Sequence, residues 1–185
     1  MKLKRNLSFY FFCSVFMFFQ KGFTQIIDRA YLDHINSSYG EVALINFIDS
    51  CAKRKNIECM FNKYVMYYDS RKIDSAVVLL LEIACQNIGS MDDPYNRVLE
   101  VRNSLGIMYL DGFVLKQDFY LSYVWFLVYN EHKNSCAQDV QQNNIKRIKY
   151  VQKKLSKSEI LSAQKDATFI NKGPLKNTSK LFVME

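Results

Sequence analysis

Apolar residues recur at intervals of three and four along most of the chain, which is the spacing of an amphipathic α-helix. Clusters of polar residues interrupt this pattern and divide it into separate segments. The chain has only 6 Gly and 2 Pro, too few for the many tight turns of a β-sandwich or a β-barrel. The sequence therefore predicts an all-α fold. The predicted helices cover residues 26–52 with a break at 37–40, then 57–68, 75–86, 95–110, 119–131, 137–154 and 157–170.

Polar residues stand at several positions where a helix is expected to start. Asp74 and Asp118 precede apolar runs, and their carboxylates can accept hydrogen bonds from the free N–H groups of a first helical turn. Ser156 is followed three residues later by Glu159, which is the pattern of a capping box. Gly and Pro at 173–174 should end the last helix, so residues 172–185 are predicted to form a flexible tail.

The N-terminal segment has a different pattern from the rest of the chain. Lys2, Lys4 and Arg5 precede an uncharged run over residues 7–19 that is rich in Phe. This run is shorter than the roughly 20 apolar residues of a membrane span, so residues 1–24 are predicted to be a signal peptide. An uncleaved membrane anchor and a buried helix are the alternatives. A signal peptide indicates a periplasmic or secreted protein.

The formal net charge of +7 is unevenly distributed. Residues 1–24 hold four basic residues and no acidic one, residues 25–140 hold 11 basic and 15 acidic, and residues 141–185 hold 10 basic and 3 acidic. The body of the chain therefore lacks the basic groove of a nucleic-acid-binding protein. The basic run near the C-terminus favours a solvated helix face, with anionic lipid or an acidic protein as alternative contacts; it comprises Lys146, Arg147, Lys149, Lys153 and Lys154.

Four cysteines remain beyond the predicted signal peptide, namely Cys51, Cys59, Cys85 and Cys136. Cysteines of an exported domain commonly form disulfides, and four of them allow three connectivities. Buried or free thiols are expected instead if the protein is cytosolic.

The segment from Leu105 to Tyr129 has the most informative spacing. Gly106 lacks a Cβ and can let two helices approach closely, and Gly112 can adopt the positive φ that ends a helix. The order and intervals resemble a Sel1-like repeat, a relative of the tetratricopeptide family, although Val114 stands where that family often has Gly. The residues that carry the resemblance are Leu105, Gly106, Tyr109, Gly112, Asp118, Ser122 and Trp125.

The resemblance implies a short α-solenoid of antiparallel helix pairs over residues 57–171, with the last helix as a C-terminal cap and a separate helical segment at 25–56. A weaker repeat, Cys59 to Cys85, carries Tyr67, Asp74 and Ala76 in comparable order. In cysteine-rich members of this group a pair spaced like Cys51 and Cys59 forms a disulfide. The resemblance also suggests a second bridge between Cys85 and Cys136.

The sequence offers no pattern that predicts catalysis. His34 and His132 do not have metal-ligand spacing, and no Gly-rich phosphate loop is present. Asp92 and Asp93 fit a turn better than a pair of catalytic carboxylates. We therefore expect no enzyme activity, no cofactor and no metal.

The resemblance implies binding of a protein partner through the helical repeats. Some small exported members act as immunity proteins that neutralise a secreted toxin effector. The alternatives are an envelope scaffold or regulator held by an uncleaved signal, with a membrane contact only in that case, and a cysteine-rich β-lactam-interacting enzyme. Tyr120 and Tyr123 could face a partner, but aromatic residues of stacked helices more often fill the core.

Overall fold

The computed structural model describes residues 27, 29–88, 93, 95–132 and 138–176. These residues form eight α-helices and no strand, which confirms the all-α prediction. The predicted signal peptide at 1–24 and Cys136 lie outside them. None of the described helices is long and apolar enough to cross a membrane. The helices are α1 (Arg29–Tyr39), α2 (Glu41–Lys53), α3 (Ile57–Asp69), α4 (Ile73–Ala84), α5 (Arg97–Asp111), α6 (Phe119–Glu131), α7 (Gln138–Gln152) and α8 (Lys157–Ile170).

Capping residues set several of the helix ends. Gly40, with φ of 83°, separates α1 from α2. Ser156 and Glu159 form the expected capping box at the start of α8. The prediction that Asp74 caps α4 is wrong. The helix begins at Ile73 with Lys72 as its N-cap, so Asp74 lies in the first turn, where its negative charge still suits the helix dipole.

The helices pack mainly against their neighbours in sequence. Each helix from α1 to α6 contacts the next one. Two further contacts cross this order, because α3 also packs against α5 and α8 packs against α6. Helix α6 thus has three helical neighbours, α5, α7 and α8.

The core consists of two clusters of apolar side chains that meet at α6. The first cluster is built from α1 to α5 and includes Trp125. The second is built from α6, α7 and α8 and includes Phe126. Residues 122–131 of α6 are all buried. This burial explains why the sequence of α6 is apolar on every face, since a helix enclosed by neighbours needs no solvated side.

The chain remains packed beyond the end of α8, which corrects the predicted start of the flexible tail at residue 172. The side chain of Leu175 is only 9% exposed and belongs to the second cluster. The N–H of Lys176 donates to Glu131 Oε1 at 2.6 Å, and Asn171 Oδ1 lies 2.9 Å from His132 Nε2. Residues 171–176 therefore fasten the end of α8 to the C-terminal end of α6.

Candidate protein-binding surface

Gly106 and Ser122 lie in contact where α5 packs against α6. A Cβ on Gly106 would lie 2.6 Å from Cδ1 and Cε1 of the Phe126 ring, closer than carbon atoms can approach. Beside this contact the Ser122 hydroxyl donates to the Gly106 carbonyl at 2.8 Å. Both residues thus hold the two helices together, and the hydroxyl supplies a hydrogen bond that an Ala at the same position would lack.

The loop from α5 to α6 is fixed by its two predicted end residues. Gly112 adopts φ of 74° and donates its N–H to Met108 O at 3.1 Å. Asp118 Oδ1 accepts from the N–H of Leu121 at 2.9 Å, and the Asp118 N–H donates to Tyr109 O at 2.9 Å. The loop is therefore closed against the last turn of α5, and α6 starts at a defined position.

The large residues of the same motif lie in the first core cluster. Leu105 and Trp125 are buried there, and Tyr109 is half-buried against it. Burial raises the pKa of Tyr109, and the neighbouring Asp118 raises it further. All seven motif residues therefore contribute to the packing of α5 against α6, to the loop between these helices or to the adjacent core.

A disulfide joins Cys51, near the end of α2, to Cys59, near the start of α3, with their Cα atoms 5.8 Å apart. This is the pairing that the resemblance implied. Cys85, by contrast, is a free and exposed thiol at the end of α4. Cys136, the other member of the expected second bridge, lies outside the described residues, so that bridge stays a prediction.

One side of α3 carries a row of aromatic rings, which we call the aromatic ladder: Phe61, Tyr64 and Tyr68. Its ring centroids are separated by 5.6 Å and 6.0 Å in this order. The ladder is accessible at one end. Tyr68 is 41% exposed and Val65 beside it is also exposed, whereas Phe61 and Tyr64 are half-buried and pack against the first core cluster. Tyr95, just before α5, is exposed as well. This site therefore has an exposed apolar area at the end of a partly buried row of rings.

Arg97, the first residue of α5, connects the ladder to α5. Its guanidinium lies 4.3 Å from the centroid of the Phe61 ring, and its Nε donates to Glu58 Oε2 at 3.0 Å. Glu100 accepts a second hydrogen bond at 2.8 Å. Although burial alone would lower the pKa of Arg97, the hydrogen bonds to the two carboxylates raise it. Because Glu58 is buried, the pair is held in a fixed position between α3 and α5.

The electrostatic surroundings of the ladder are acidic. Burial raises the pKa of Tyr64, and Tyr68, Asp69 and Glu100 raise it further. Asp69 and Glu100 are both exposed. The aromatic ladder therefore offers apolar ring surface with carboxylates beside it.

Arg102 is a buried charge that the sequence analysis did not identify. Its Nε donates to Ala84 O at 2.8 Å and its Nη2 donates to Gln86 O at 3.1 Å. These carbonyls belong to the end of α4, so Arg102 completes hydrogen bonds that a helix C-terminus leaves open. Burial lowers its pKa to about 10. The role that this geometry gives Arg102 is to attach α5 to α4.

The other candidate residues that the structure describes lie at separate places in the fold. Among the described residues no group of three His, Cys, Asp or Glu could hold a metal ion. Asp93 is buried and accepts from the N–H groups of Arg97 and Val98, so it caps α5, and Asp92 lies outside the described residues. His34 is exposed and lies beside Ser38.

Tyr120 and Tyr123 are the two tyrosines that the sequence suggested for a partner contact. Tyr123 is fully buried and faces no partner, whereas the Tyr120 hydroxyl donates to Asp166 at 2.6 Å.

The Ser-x-x-Lys spacing of β-lactam-acylating serine enzymes occurs at 50–53 and 162–165. All four of these side chains are exposed on helices and none is described as bonded to its partner, so neither pair forms an enclosed site.

We compared the chain with models of protein families, with curated proteins and with solved structures, and none of them matches it.

Proposed function

We propose that the chain is an exported helical-repeat module of the Sel1-like type that binds a protein partner through the surface formed by α3 and α5. The single observation that carries this proposal is the aromatic ladder. Aromatic residues and Arg are the side chains most enriched at the energetic centres of protein interfaces. The ladder combines one exposed ring, that of Tyr68, and two half-buried rings with an arginine that Glu58 and Glu100 already hold in place.

The proposed architecture is a short solenoid in which α3 pairs with α4 and α5 pairs with α6 in antiparallel fashion, with α7 and α8 at the end. The contacts between successive helices support this arrangement, because stacked pairs bring each helix against the next. The additional contact of α3 with α5 supports it too, since the first helices of two stacked pairs lie side by side. Both helices would then contribute to one surface.

The chemistry of the ladder indicates what the partner presents. The rings of Tyr64 and Tyr68 provide apolar area, and Asp69 provides negative charge close to it, whereas Glu100 is already paired with Arg97. A cation over an aromatic face and beside a carboxylate gains from both interactions. The partner segment therefore combines apolar groups with Lys or Arg. A more specific form of the proposal is that this partner is a secreted toxin effector, which the chain neutralises by covering part of its surface.

The test is affinity capture of the tagged protein from envelope extracts with a surface variant, Val65→Ser with Tyr68→Ser. The matched control is Leu161→Ser with Phe169→Ser, which also removes one exposed aliphatic and one exposed aromatic side chain, but on α8. We expect the wild type and the control to retain the same stoichiometric partner. The ladder variant should retain at least about tenfold less, because truncated interface centres commonly cost 2 kcal/mol or more.

Two results would overturn the proposal. One is equal recovery of the partner by the ladder variant and the control variant, which would place the contact on another face. The other is recovery of the bait alone by the wild type under conditions that preserve weak complexes. Circular dichroism of both variants verifies that they remain folded.

A further inference from the structure

Helix α7 presents a basic face that no other described element covers. Its buried residues are Asn144, Ile148 and Val151, which recur at helical spacing and face the core. The opposite side carries exposed residues at intervals of three and four: Lys146, Lys149, Tyr150, Lys153 and, just past the helix end, Lys154. We call these five residues the lysine stripe.

The stripe is not neutralised by the protein itself. Residues 142–158 contain no acidic residue and six basic ones. Within the described part of the chain, no carboxylate forms an ion pair with Lys146, Lys149 or Lys153. Lys154 instead lies 5.5 Å from the centroid of the Tyr150 ring. The positive charge of the stripe therefore remains available to an external anionic surface.

We propose that the lysine stripe is a peripheral docking surface for a phospholipid bilayer that carries anionic headgroups. The composition of the stripe favours lipid over an acidic protein. Lysine is depleted in protein interfaces, where arginine with its planar fork is preferred. Several lysines in a row suit a surface of mobile negative charges, because each acts as a point charge and requires no fixed geometry.

Tyr150 completes the stripe in a way that fits a bilayer surface. Tyr150 is 51% exposed, and its ring packs against the ring of Phe119 with the centroids 6.5 Å apart. This contact fixes the Tyr150 ring among the lysines. An amphipathic ring of this kind is favoured where apolar and aqueous regions meet. The aromatic ladder lies on α3, so this contact would involve an element other than the proposed protein-binding surface.

The experiment measures sedimentation of the full chain with vesicles of phosphatidylglycerol and phosphatidylcholine, compared with vesicles of phosphatidylcholine alone. The stripe variant combines Lys146→Gln, Lys149→Gln and Lys153→Gln. The control variant combines Lys53→Gln, Lys116→Gln and Lys165→Gln, exposed lysines on other elements. Both variants lose the same net charge. Binding to phosphatidylcholine alone reports the contribution of the apolar N-terminal run, which all three proteins share.

We expect the wild type and the control to bind the anionic vesicles, and the stripe variant to bind roughly 100-fold more weakly, since each lysine near such a surface contributes about a factor of five. Raising the salt from roughly 0.1 M to roughly 1 M should remove the difference by screening. Equal binding of the stripe and control variants overturns the proposal. So does wild-type binding that is independent of phosphatidylglycerol, or loss of a captured acidic protein by the stripe variant with vesicle binding intact.

Discussion

At Gly106 the absence of one methyl group determines how closely α5 and α6 approach. The Phe126 ring that a Cβ would meet is fully buried and cannot turn away without disturbing the second core cluster. We expect Gly106→Ala to lower the free energy of unfolding by about 1–3 kcal/mol, the usual cost of adding a carbon to a packed core. Chemical denaturation monitored by circular dichroism measures this change.

Gly173 provides the control for that substitution. Its added Cβ would have no atom within 4 Å, and its φ is not positive. Gly173→Ala should therefore change the free energy of unfolding by less than about 0.5 kcal/mol. If both substitutions lowered the free energy of unfolding by a similar amount, the effect at Gly106 could not be assigned to the close approach of α5 and α6.

The pH dependence of the α8 capping box also follows from single residues. Hydrogen bonds from the Ser156 hydroxyl and backbone lower the pKa of Glu159 below 4.5. A carboxylate with a lowered pKa stabilises the folded state above its unfolded pKa, and this contribution disappears as the pH falls through the folded value. We therefore expect wild type to have a higher melting temperature than Glu159→Gln near neutral pH, and the difference to shrink as the pH falls through the lowered pKa of Glu159.

The same substitution in a Ser156→Ala variant tests whether the contribution of Glu159 depends on its hydrogen bonds with Ser156. Ser156→Ala itself should cost about 1 kcal/mol, as other N-cap serines do. Glu159→Gln should then have a smaller effect, because the bond between the two side chains is already gone. An unchanged effect would assign the contribution of Glu159 to another interaction.

At the scale of elements, the disulfide determines how α2 and α3 meet. The two cysteines are eight residues apart and both are buried. Closing a loop of this length is expected to stabilise the fold by about 2.5 kcal/mol through the entropy of the unfolded chain. Reductant should therefore lower the melting temperature of the wild type.

Cys85→Ser should have the same melting temperature as the wild type and the same response to reductant, because the Cys85 thiol is free. No response to reductant in either protein would contradict the bridge.

The elements differ in how far the sequence predicts them, for physical reasons. The bounds of α6 and α8 follow from their caps, Asp118 and Ser156, because a side-chain acceptor before an apolar run defines the first turn. The start of α4 does not follow in this way, because its N-cap, Lys72, makes no side-chain cap hydrogen bond.

The aromatic ladder shows a second limit of sequence reasoning. Phe61, Tyr64 and Tyr68 have helical spacing, which is a signal for one face of a helix. Ile57 and Met60 give α3 another apolar side, and the pattern alone cannot decide which of the two is buried. Glu58 lies 39 residues from Arg97 in sequence, and the carbonyls bound by Arg102 lie 16–18 residues from it, so only the packing of the helices reveals these contacts.

At the scale of the whole molecule, α6 makes the two core clusters depend on each other. Consecutive residues of this helix belong to different clusters, Trp125 to the first and Phe126 to the second. If α6 detaches from one cluster, its side chains in the other cluster are also exposed to water. The described helices should therefore unfold as one cooperative unit, although the contacts between them are mainly between neighbours in sequence.

Trp125 makes this cooperativity measurable because it is the only tryptophan of the chain. Leu175→Ala removes a side chain from the second cluster and should cost about 2 kcal/mol. Phe169→Ala, which truncates a residue that is 85% exposed on α8, is the control and should change stability little. If α6 couples the clusters, Leu175→Ala shifts the fluorescence transition of Trp125 and the loss of helix by circular dichroism to the same lower denaturant concentration. A fluorescence transition that stays in place while the helical signal separates into two steps would show that the clusters unfold independently.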